Sequence, residues 1–127
     1  MKRVLLDTHV LLWWLDGGQN LNDRANVIIR DSRNSVYVSA ASVWEIAIKQ
    51  GLGKLDAPDN IVELIEASGF EELLITSFHA YQAGTLLTDH KDPFDRMLIS
   101  QAQAEGLTLI THDKAILGFG IRCIDPI

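Results

Sequence analysis

Short, largely apolar runs alternate along this chain with longer segments whose apolar residues recur at the spacing of an α-helix. The short runs are typical of buried strands, and we predict strands at residues 4–6, 36–38, 73–75, 107–110 and 121–124. The longer segments predict helices at residues 8–15, 22–30, 40–50, 58–68, 78–87 and 93–105.

Capping residues support the starts of these helices. Ser39 directly follows a predicted strand and is a favoured N-cap for the helix at residues 40–50. Asp92 has the same capping chemistry, and Pro93 then occupies the first helical position, where proline is well tolerated. Asn20 and Asn22 are both suitable caps for the second helix.

The order of the elements predicts the fold class. Short apolar strands separated by helices indicate an α/β fold, with a mainly parallel sheet covered by helices on both faces. In such sheets, ligands bind beyond the carboxyl ends of the strands. Asp7 directly follows the first predicted strand, and Asp113 follows the strand at residues 107–110. Their carboxylates can therefore meet at one sheet edge although they lie near opposite ends of the chain.

Composition limits the class of protein. With 127 residues, of which 47% are hydrophobic, the chain has enough apolar material for one core, and we expect residues 1–127 to form a single domain. The lone Cys123 cannot form an internal disulfide, which favours a reducing compartment such as the cytoplasm. The apolar stretch at residues 10–15 is far shorter than the roughly 20 residues that span a bilayer, so we expect no membrane segment.

The net charge of −6 argues against a uniformly basic surface that attracts nucleic-acid phosphates. It does not argue against a nuclease whose carboxylates hold divalent cations. Such metal ions cancel the local negative charge and attract the phosphodiester directly.

Two acidic residues in the first half of the chain have competing interpretations. Asp7 is either a metal ligand or the N-cap of the next helix, and Thr8 is an equally good cap that would free Asp7. Glu45 is the only charged residue in the segment 40–48, which is apolar nearly all round and predicts a buried helix. A buried glutamate is costly unless it is paired or coordinated, although Ser42 and Glu45 also have the spacing of a capping box.

Further acidic residues follow in the second half. Asp95 shares a helix face with apolar residues and is predicted to point inward, whereas Asp92 is expected to face solvent as a cap. Asp113 either joins the site or caps the short segment that follows it. Crowded carboxylates repel one another unless a cation binds them, so the sequence predicts a metal site made of Asp7, Glu45, Asp95 and Asp113.

Four segments together resemble the PIN-domain nucleases, particularly the VapC-type toxins of bacterial toxin–antitoxin pairs. They are Leu-Leu-Asp-Thr at 5–8, Ser-Val-Trp-Glu-Ile at 42–46, Asp-Pro-Phe-Asp-Arg-Met-Leu-Ile at 92–99 and Leu-Ile-Thr-His-Asp at 109–113. The resemblance extends over essentially the whole chain. Matched by position, it assigns the same four acids, Asp7, Glu45, Asp95 and Asp113, and places Thr8 beside them. Asp92 departs from the pattern as an extra acid that competes with Asp95 as the closer ligand.

The resemblance implies an α/β/α sandwich, a Mg²⁺ or Mn²⁺ cofactor, RNA cleavage, and a homodimer silenced by a cognate antitoxin. We expect one or two such ions to activate a water molecule for in-line attack on the phosphodiester. Three basic residues are candidate phosphate contacts, although a solvated surface charge is the favoured interpretation for each: Lys49, Arg96 and Lys114.

The sequence also allows two alternative functions, a different metal-dependent enzyme and a binding module without activity. His9, His90 and His112 each lie near a proposed acid, and His112-Asp113 matches the short signature of helical HD-type phosphohydrolases, but here the pair ends a predicted strand. A catalytically inactive PIN-like module that only binds a partner is a further alternative. Trp13 and Trp14 point in different directions on a helix, so we expect at least one in the core or a dimer interface.

Overall fold

The computed structural model describes residues 1–127 and contains one parallel sheet of five strands. The strands are β1 (Arg3–Leu6), β2 (Ser35–Ser39), β3 (Glu71–Leu73), β4 (Thr108–Ile110) and β5 (Cys123–Ile124). Their spatial order is β3-β2-β1-β4-β5, and every neighbouring pair is parallel. The first strand of the chain, β1, thus lies at the centre of the sheet, where both of its edges are paired.

Seven helices connect the strands. They are α1 (Thr8–Leu15), α2 (Asp23–Arg30), α3 (Ala40–Gly51), α4 (Ile61–Ala67), α5 (Ser77–Thr85), α6 (Pro93–Glu105) and α7 (Lys114–Leu117). None of the seven is long and apolar enough to cross a membrane.

Helices cover both faces of the sheet, which confirms the predicted α/β fold with three layers. Successive side chains of a strand point to opposite faces. Accordingly, Val4 and Leu6 pack into one apolar cluster with α1, α2 and α4, whereas Leu5 packs into a second cluster with α6 and α7. All three side chains are fully buried. Covering both faces explains why the central strand is apolar at every buried position rather than alternating.

The bounds of β3 differ from the prediction. The strand is Glu71–Leu73, two residues earlier than the apolar run at residues 73–75. It lies at the edge of the sheet, where its partners are Tyr37, Val38 and Ser39 of β2. An edge strand needs an apolar side chain only where it meets the core, so two glutamates are tolerated there. The bounds of β3 are therefore set by its pairing with β2 rather than by the position of the apolar run.

The structure chooses between the two predicted caps of α2 and moves the start of α4. Asn22, not Asn20, caps α2, because its side chain accepts a hydrogen bond from the Ala25 amide at 2.9 Å. The helix α4 begins at Ile61 instead of Pro58. The Gln50 side chain donates to the Ala57 carbonyl, which holds the loop before α4 against the end of α3.

The strand ends bring distant segments to one edge of the sheet. Leu6 of β1 pairs with Ile110 of β4, and the Asp7 amide donates to the Ile110 carbonyl at 3.0 Å. The residues that follow these two strands, Asp7 and Thr111, are therefore neighbours in space. This edge carries the acidic side chains described next.

Candidate active site

An open cleft of about 320 Å³ lies beyond the carboxyl ends of β1 and β4. Five of its ten lining residues are acidic, and two are apolar or aromatic. The structure therefore brings all four predicted acids to one cleft, together with Asp92. The full lining is Asp7, His9, Val10, Trp13, Glu45, Lys49, Asp92, Asp95, His112 and Asp113.

Asp7 is both the N-cap of α1 and a residue of the cleft. Its Oδ1 accepts from the His9 amide at 2.9 Å, and its Oδ2 accepts from the Thr111 hydroxyl at 2.7 Å. Burial by itself raises the pKa of Asp7, but the hydrogen bonds from His9 and Thr111 outweigh that effect and hold the pKa below its usual value. The fold thus stabilises the ionised form of this carboxyl.

Thr8 lies inside α1 rather than capping it, and it contacts Glu45. The Thr8 hydroxyl is 2.7 Å from Glu45 Oε1 and 2.9 Å from Ser42 Oγ. Because a threonine hydroxyl has one proton, it can donate to the carboxylate and accept from the serine. The predicted position of Thr8 as a polar neighbour of the acids is what the geometry shows, whereas its alternative as the helix cap is wrong.

Glu45 is buried, with 3% of its surface exposed, as the apolar helix around it predicted. Its Oε2 forms an ion pair with Lys49, one turn later on α3. The capping-box interpretation is wrong, because Ser39 is the N-cap of α3 and its hydroxyl accepts from the Ala41 amide. Glu45 is therefore compensated by Thr8 and Lys49, not by the end of the helix.

Asp95 is a half-buried acid of the cleft whose carboxylate contacts a histidine. Its Oδ2 lies 2.8 Å from His90 Nε2. Burial, the largest cause, raises the pKa of Asp95 to about 6; the hydrogen bond from His90 lowers it, and the negative charges of Asp92, Asp7 and Asp113 raise it further. A cation bound beside Asp95 would favour its ionised form, because the positive charge would offset these negative neighbours.

Asp92 and Asp113 combine capping with a place in the cleft. Asp92 Oδ1 accepts from the Phe94 and Asp95 amides and caps α6, while Asp113 Oδ1 does the same for the short α7. In both residues Oδ2 accepts no hydrogen bond from the protein. Asp92 is the cap that the sequence predicts, and it is half-buried at the open cleft, where it lies beside Asp95 as the extra acid.

Two contributors were not predicted as part of the acidic site. His90 is grouped with Asp95 and Asp113, such that one possible ligand atom from each lies within 4.8 Å of the others. Thr111 donates to Asp7 and directly follows β4, as Asp7 follows β1. The position of Thr111 after a strand was the available signal for it. His90 entered only the alternative histidine interpretation, on its closeness to Asp95 in sequence, and no periodicity predicts the path of its loop.

The three basic residues that were candidates for phosphate contacts differ in their positions relative to the cleft. Lys49 lines the cleft and its hydrogen bond with Glu45 raises its pKa. Lys114 is exposed and lies outside the cleft lining. Arg96 directs all of its N–H groups to backbone carbonyls and has none left for phosphate. These carbonyls belong to Ala83, Gly84, Leu86, Thr88 and His90.

The adjacent tryptophans have different environments, as expected from their helical spacing. Trp14 packs against the core, with its ring centroid 5.0 Å from that of Phe70. Trp13 lines the acidic cleft beside His9. A second open cleft of about 500 Å³ is also lined by His9 and Trp13. The two clefts therefore adjoin each other along one side of α1.

Comparison with known proteins adds the family. Residues 4–119 match the model of the PIN domain. The chain belongs to the PIN domain family. This confirms the resemblance seen in the four sequence segments, and it is inconsistent with an HD-type phosphohydrolase, since His112 and Asp113 of this PIN domain follow a strand rather than lie in a helical domain.

A curated relative is similar to this chain over a short segment. Ribonuclease VapC16 of Mycobacterium tuberculosis is 51% identical over 37 residues, which are 29% of this chain and 26% of that protein. The aligned segment thus spans about a quarter of the curated relative.

Solved structures are similar over nearly the whole PIN domain. VapBC2 of Rickettsia felis bound to a promoter DNA fragment has a TM-score of 0.72 at 15% identity, covering 98% of this chain and 99% of that chain. DNA-bound VapBC of Salmonella typhimurium has a TM-score of 0.69 at 21% identity, covering 98% of each chain. A toxin–antitoxin complex of Klebsiella pneumoniae has a TM-score of 0.70 at 17% identity, again covering 98% of each. At these identities the comparison establishes the shared fold.

Proposed function

We propose that residues 1–127 form a single nuclease domain that hydrolyses RNA phosphodiester bonds with Mg²⁺ or Mn²⁺, as the toxin of a toxin–antitoxin pair. The observation that carries the proposal is the set of five carboxylates, delivered by separate elements of the fold to one open cleft. Asp7 follows β1, Glu45 comes from α3, Asp92 and Asp95 begin α6, and Asp113 begins α7.

The donor set of the cleft fits a hard divalent cation. Magnesium and manganese prefer oxygen ligands and keep several waters, which suits an open cleft lined by carboxylates. The raised pKa of Asp95 reflects burial together with the negative charges of Asp92, Asp7 and Asp113. Asp92 and Asp113 each retain a carboxylate oxygen without a protein partner. We assign Asp95 and Asp113 as the residues that would hold the ion, with Asp7 and Glu45 completing the acidic set and Asp92 assisting.

A bound ion supplies an electrophile for the phosphate oxygen and lowers the pKa of a bound water toward neutrality. The residues of the chain prepare the site for it. The His9 amide and the Thr111 hydroxyl orient Asp7 and keep it ionised. Thr8 and Lys49 each contact one oxygen of Glu45 and hold its carboxylate in place at the cleft.

Lys49 is the basic residue best placed to contact the substrate. It is partly exposed, lines the cleft, and points its ammonium group toward the acidic side. The remaining carboxylates repel phosphate unless cations are bound, so RNA binding and metal binding are coupled in this proposal. An acidic protein therefore binds RNA through its metal ions and this one lysine rather than through a basic surface.

Partner binding is supported by the comparisons and by exposed apolar side chains. The structurally similar proteins include VapBC complexes, and the VapC16 relative carries the name of a ribonuclease. On the present chain, Trp44 is 61% exposed, and Phe78 and Tyr81 on α5 are also largely exposed. Exposed aromatic residues are typical of protein interfaces, which supports a cognate antitoxin and a homodimer as partners in the cytoplasm.

The test is RNA cleavage by the purified protein with Mg²⁺ or Mn²⁺, with and without excess EDTA. We expect cleavage that the chelator abolishes, and the Asp95→Asn variant to lose it while the matched surface variant Asp59→Asn keeps it. Undiminished cleavage in EDTA would contradict the metal mechanism. No cleavage of any RNA with either ion would instead favour the inactive partner-binding module.

A further inference from the structure

His90 lies where a metal held by the acidic residues would meet an imidazole. Its Nε2 is 2.8 Å from Asp95 Oδ2, and its side chain is 19% exposed. One ligand atom each from His90, Asp95 and Asp113 fall within 4.8 Å of one another. These three residues form a compact group of possible metal ligands, and one of their three donor atoms is nitrogen rather than oxygen.

The loop that carries His90 is held firmly against α6. Arg96 Nη1 donates to the His90 carbonyl at 2.9 Å, while Arg96 Nε and Nη2 donate to the carbonyls of Ala83 and Leu86. Arg96 follows Asp95 directly on α6, so the backbone of His90 and the side chain of Asp95 are tied to the same helical turn. This preorganises the imidazole beside the carboxylate, because the loop cannot shift without breaking several charge-assisted hydrogen bonds.

We propose that His90 is a nitrogen ligand of the ion bound by Asp95 and Asp113, and that it makes this site prefer Mn²⁺ to Mg²⁺. The inference rests on the metal site of the proposed function. Mn²⁺ prefers oxygen ligands but, as a transition metal, also accepts a neutral imidazole nitrogen, whereas Mg²⁺ is bound almost entirely by oxygen. His90 Nε2 and Asp95 Oδ2, which share a hydrogen bond in the metal-free protein, would then share an ion.

The other histidines have different surroundings. His9 lies 3.8 Å from Asp7 Oδ1 and its side chain is 60% exposed. His112 directs Nδ1 to Asp125 Oδ1 at 2.9 Å. His79 is buried, with Nδ1 accepting from the Thr76 amide and Nε2 paired with Glu105. None of these three is grouped with two carboxylates, so each serves as a control for His90.

The experiment measures metal binding without activity. Metal-stripped protein is titrated separately with Mn²⁺ and Mg²⁺ by calorimetry, and pulsed electron paramagnetic resonance of the Mn²⁺ complex detects directly bound nitrogen. For the unsubstituted protein we expect a nitrogen coupling. His90→Asn should lose the coupling and lower the ratio of Mn²⁺ to Mg²⁺ affinity at least about tenfold. His112→Asn should keep both.

A second protein keeps the test independent of the folding of His90→Asn. In the double variant His9→Asn, His112→Asn, labelled with ¹⁵N-histidine, only His79 and His90 remain of the four histidines. A ¹⁵N coupling there would support His90, because both ring nitrogens of His79 are already engaged. Mn²⁺ binding without any nitrogen coupling, or an unchanged affinity ratio in folded His90→Asn, would overturn the inference alone. Absence of binding by either ion would overturn the proposed metal site as well.

Discussion

Replacing Asp95 by asparagine should stabilise the metal-free protein. The pKa of Asp95 is about 6 in the fold against 3.8 for an ordinary aspartate, so ionisation of this residue opposes folding. The difference between a pKa of 3.8 and one of about 6 corresponds to about 3 kcal/mol at most. Asparagine removes the charge but also alters the hydrogen bond with His90, and we expect a net gain of about 1–2 kcal/mol in the free energy of unfolding at pH 8.

The pH dependence gives the sign of this effect. Since the folded pKa of Asp95 is raised, the penalty is absent where the carboxyl is protonated in both states and complete above the folded pKa near 6. The gain from Asp95→Asn should therefore be full at pH 8 and fall by more than half at pH 4.5. Divalent metal should reverse the order, because an ion that binds only the folded state stabilises the unsubstituted protein more.

Urea unfolding in excess EDTA, at both pH values, measures the effect, with Asp59→Asn as the matched aspartate substitution away from the cleft. The exposed Asp59 should change the unfolding free energy by less than about 0.5 kcal/mol. If Asp95→Asn is less stable than the unsubstituted protein at pH 8 without metal, Asp95 is a structural partner of His90. That result would show that ionised Asp95 does not oppose folding.

Asp7→Asn should do the opposite and destabilise the metal-free protein by about 1–2 kcal/mol in urea unfolding at pH 7, because the pKa of Asp7 is lowered by hydrogen bonds that asparagine weakens. That difference should shrink as the pH falls through the pKa of Asp7; equal stability at pH 7 would contradict it. Glu45→Gln should remain folded yet bind Mn²⁺ more weakly and cleave RNA at least about tenfold more slowly, a loss of about 1.4 kcal/mol, whereas unchanged binding and cleavage would reduce the site to aspartates. Arg96→Lys should lower the unfolding free energy by about 1–3 kcal/mol, since lysine cannot reach the same carbonyls, and an unchanged melting temperature would count against the loop-holding role. Expression of the protein alone should slow growth in a manner that requires Asp7 and Asp95, and harmless expression of active protein would favour a housekeeping nuclease.

Local sequence determined much of the fold and the acidic set. The apolar run before Asp7 was sufficient for a buried central strand, because helices on both faces leave no polar side. Asp92 and Pro93 predicted the start of α6 at the position where the structure has it, since capping and proline chemistry act within one turn. The apolar surroundings of Glu45 predicted its burial for the same local reason.

Tertiary structure alone decided how these acids are supported. Thr111 donates to Asp7, and Thr8 contacts Glu45, although the partners are far apart in sequence. Arg96 sets the path of the loop that places His90 against Asp95, through hydrogen bonds to backbone carbonyls. Because every residue has a backbone carbonyl, the residue types of the loop do not predict these hydrogen bonds. Periodicity and capping record only interactions within an element, whereas the electrostatic state of each carboxyl depends on which other elements the fold packs beside it.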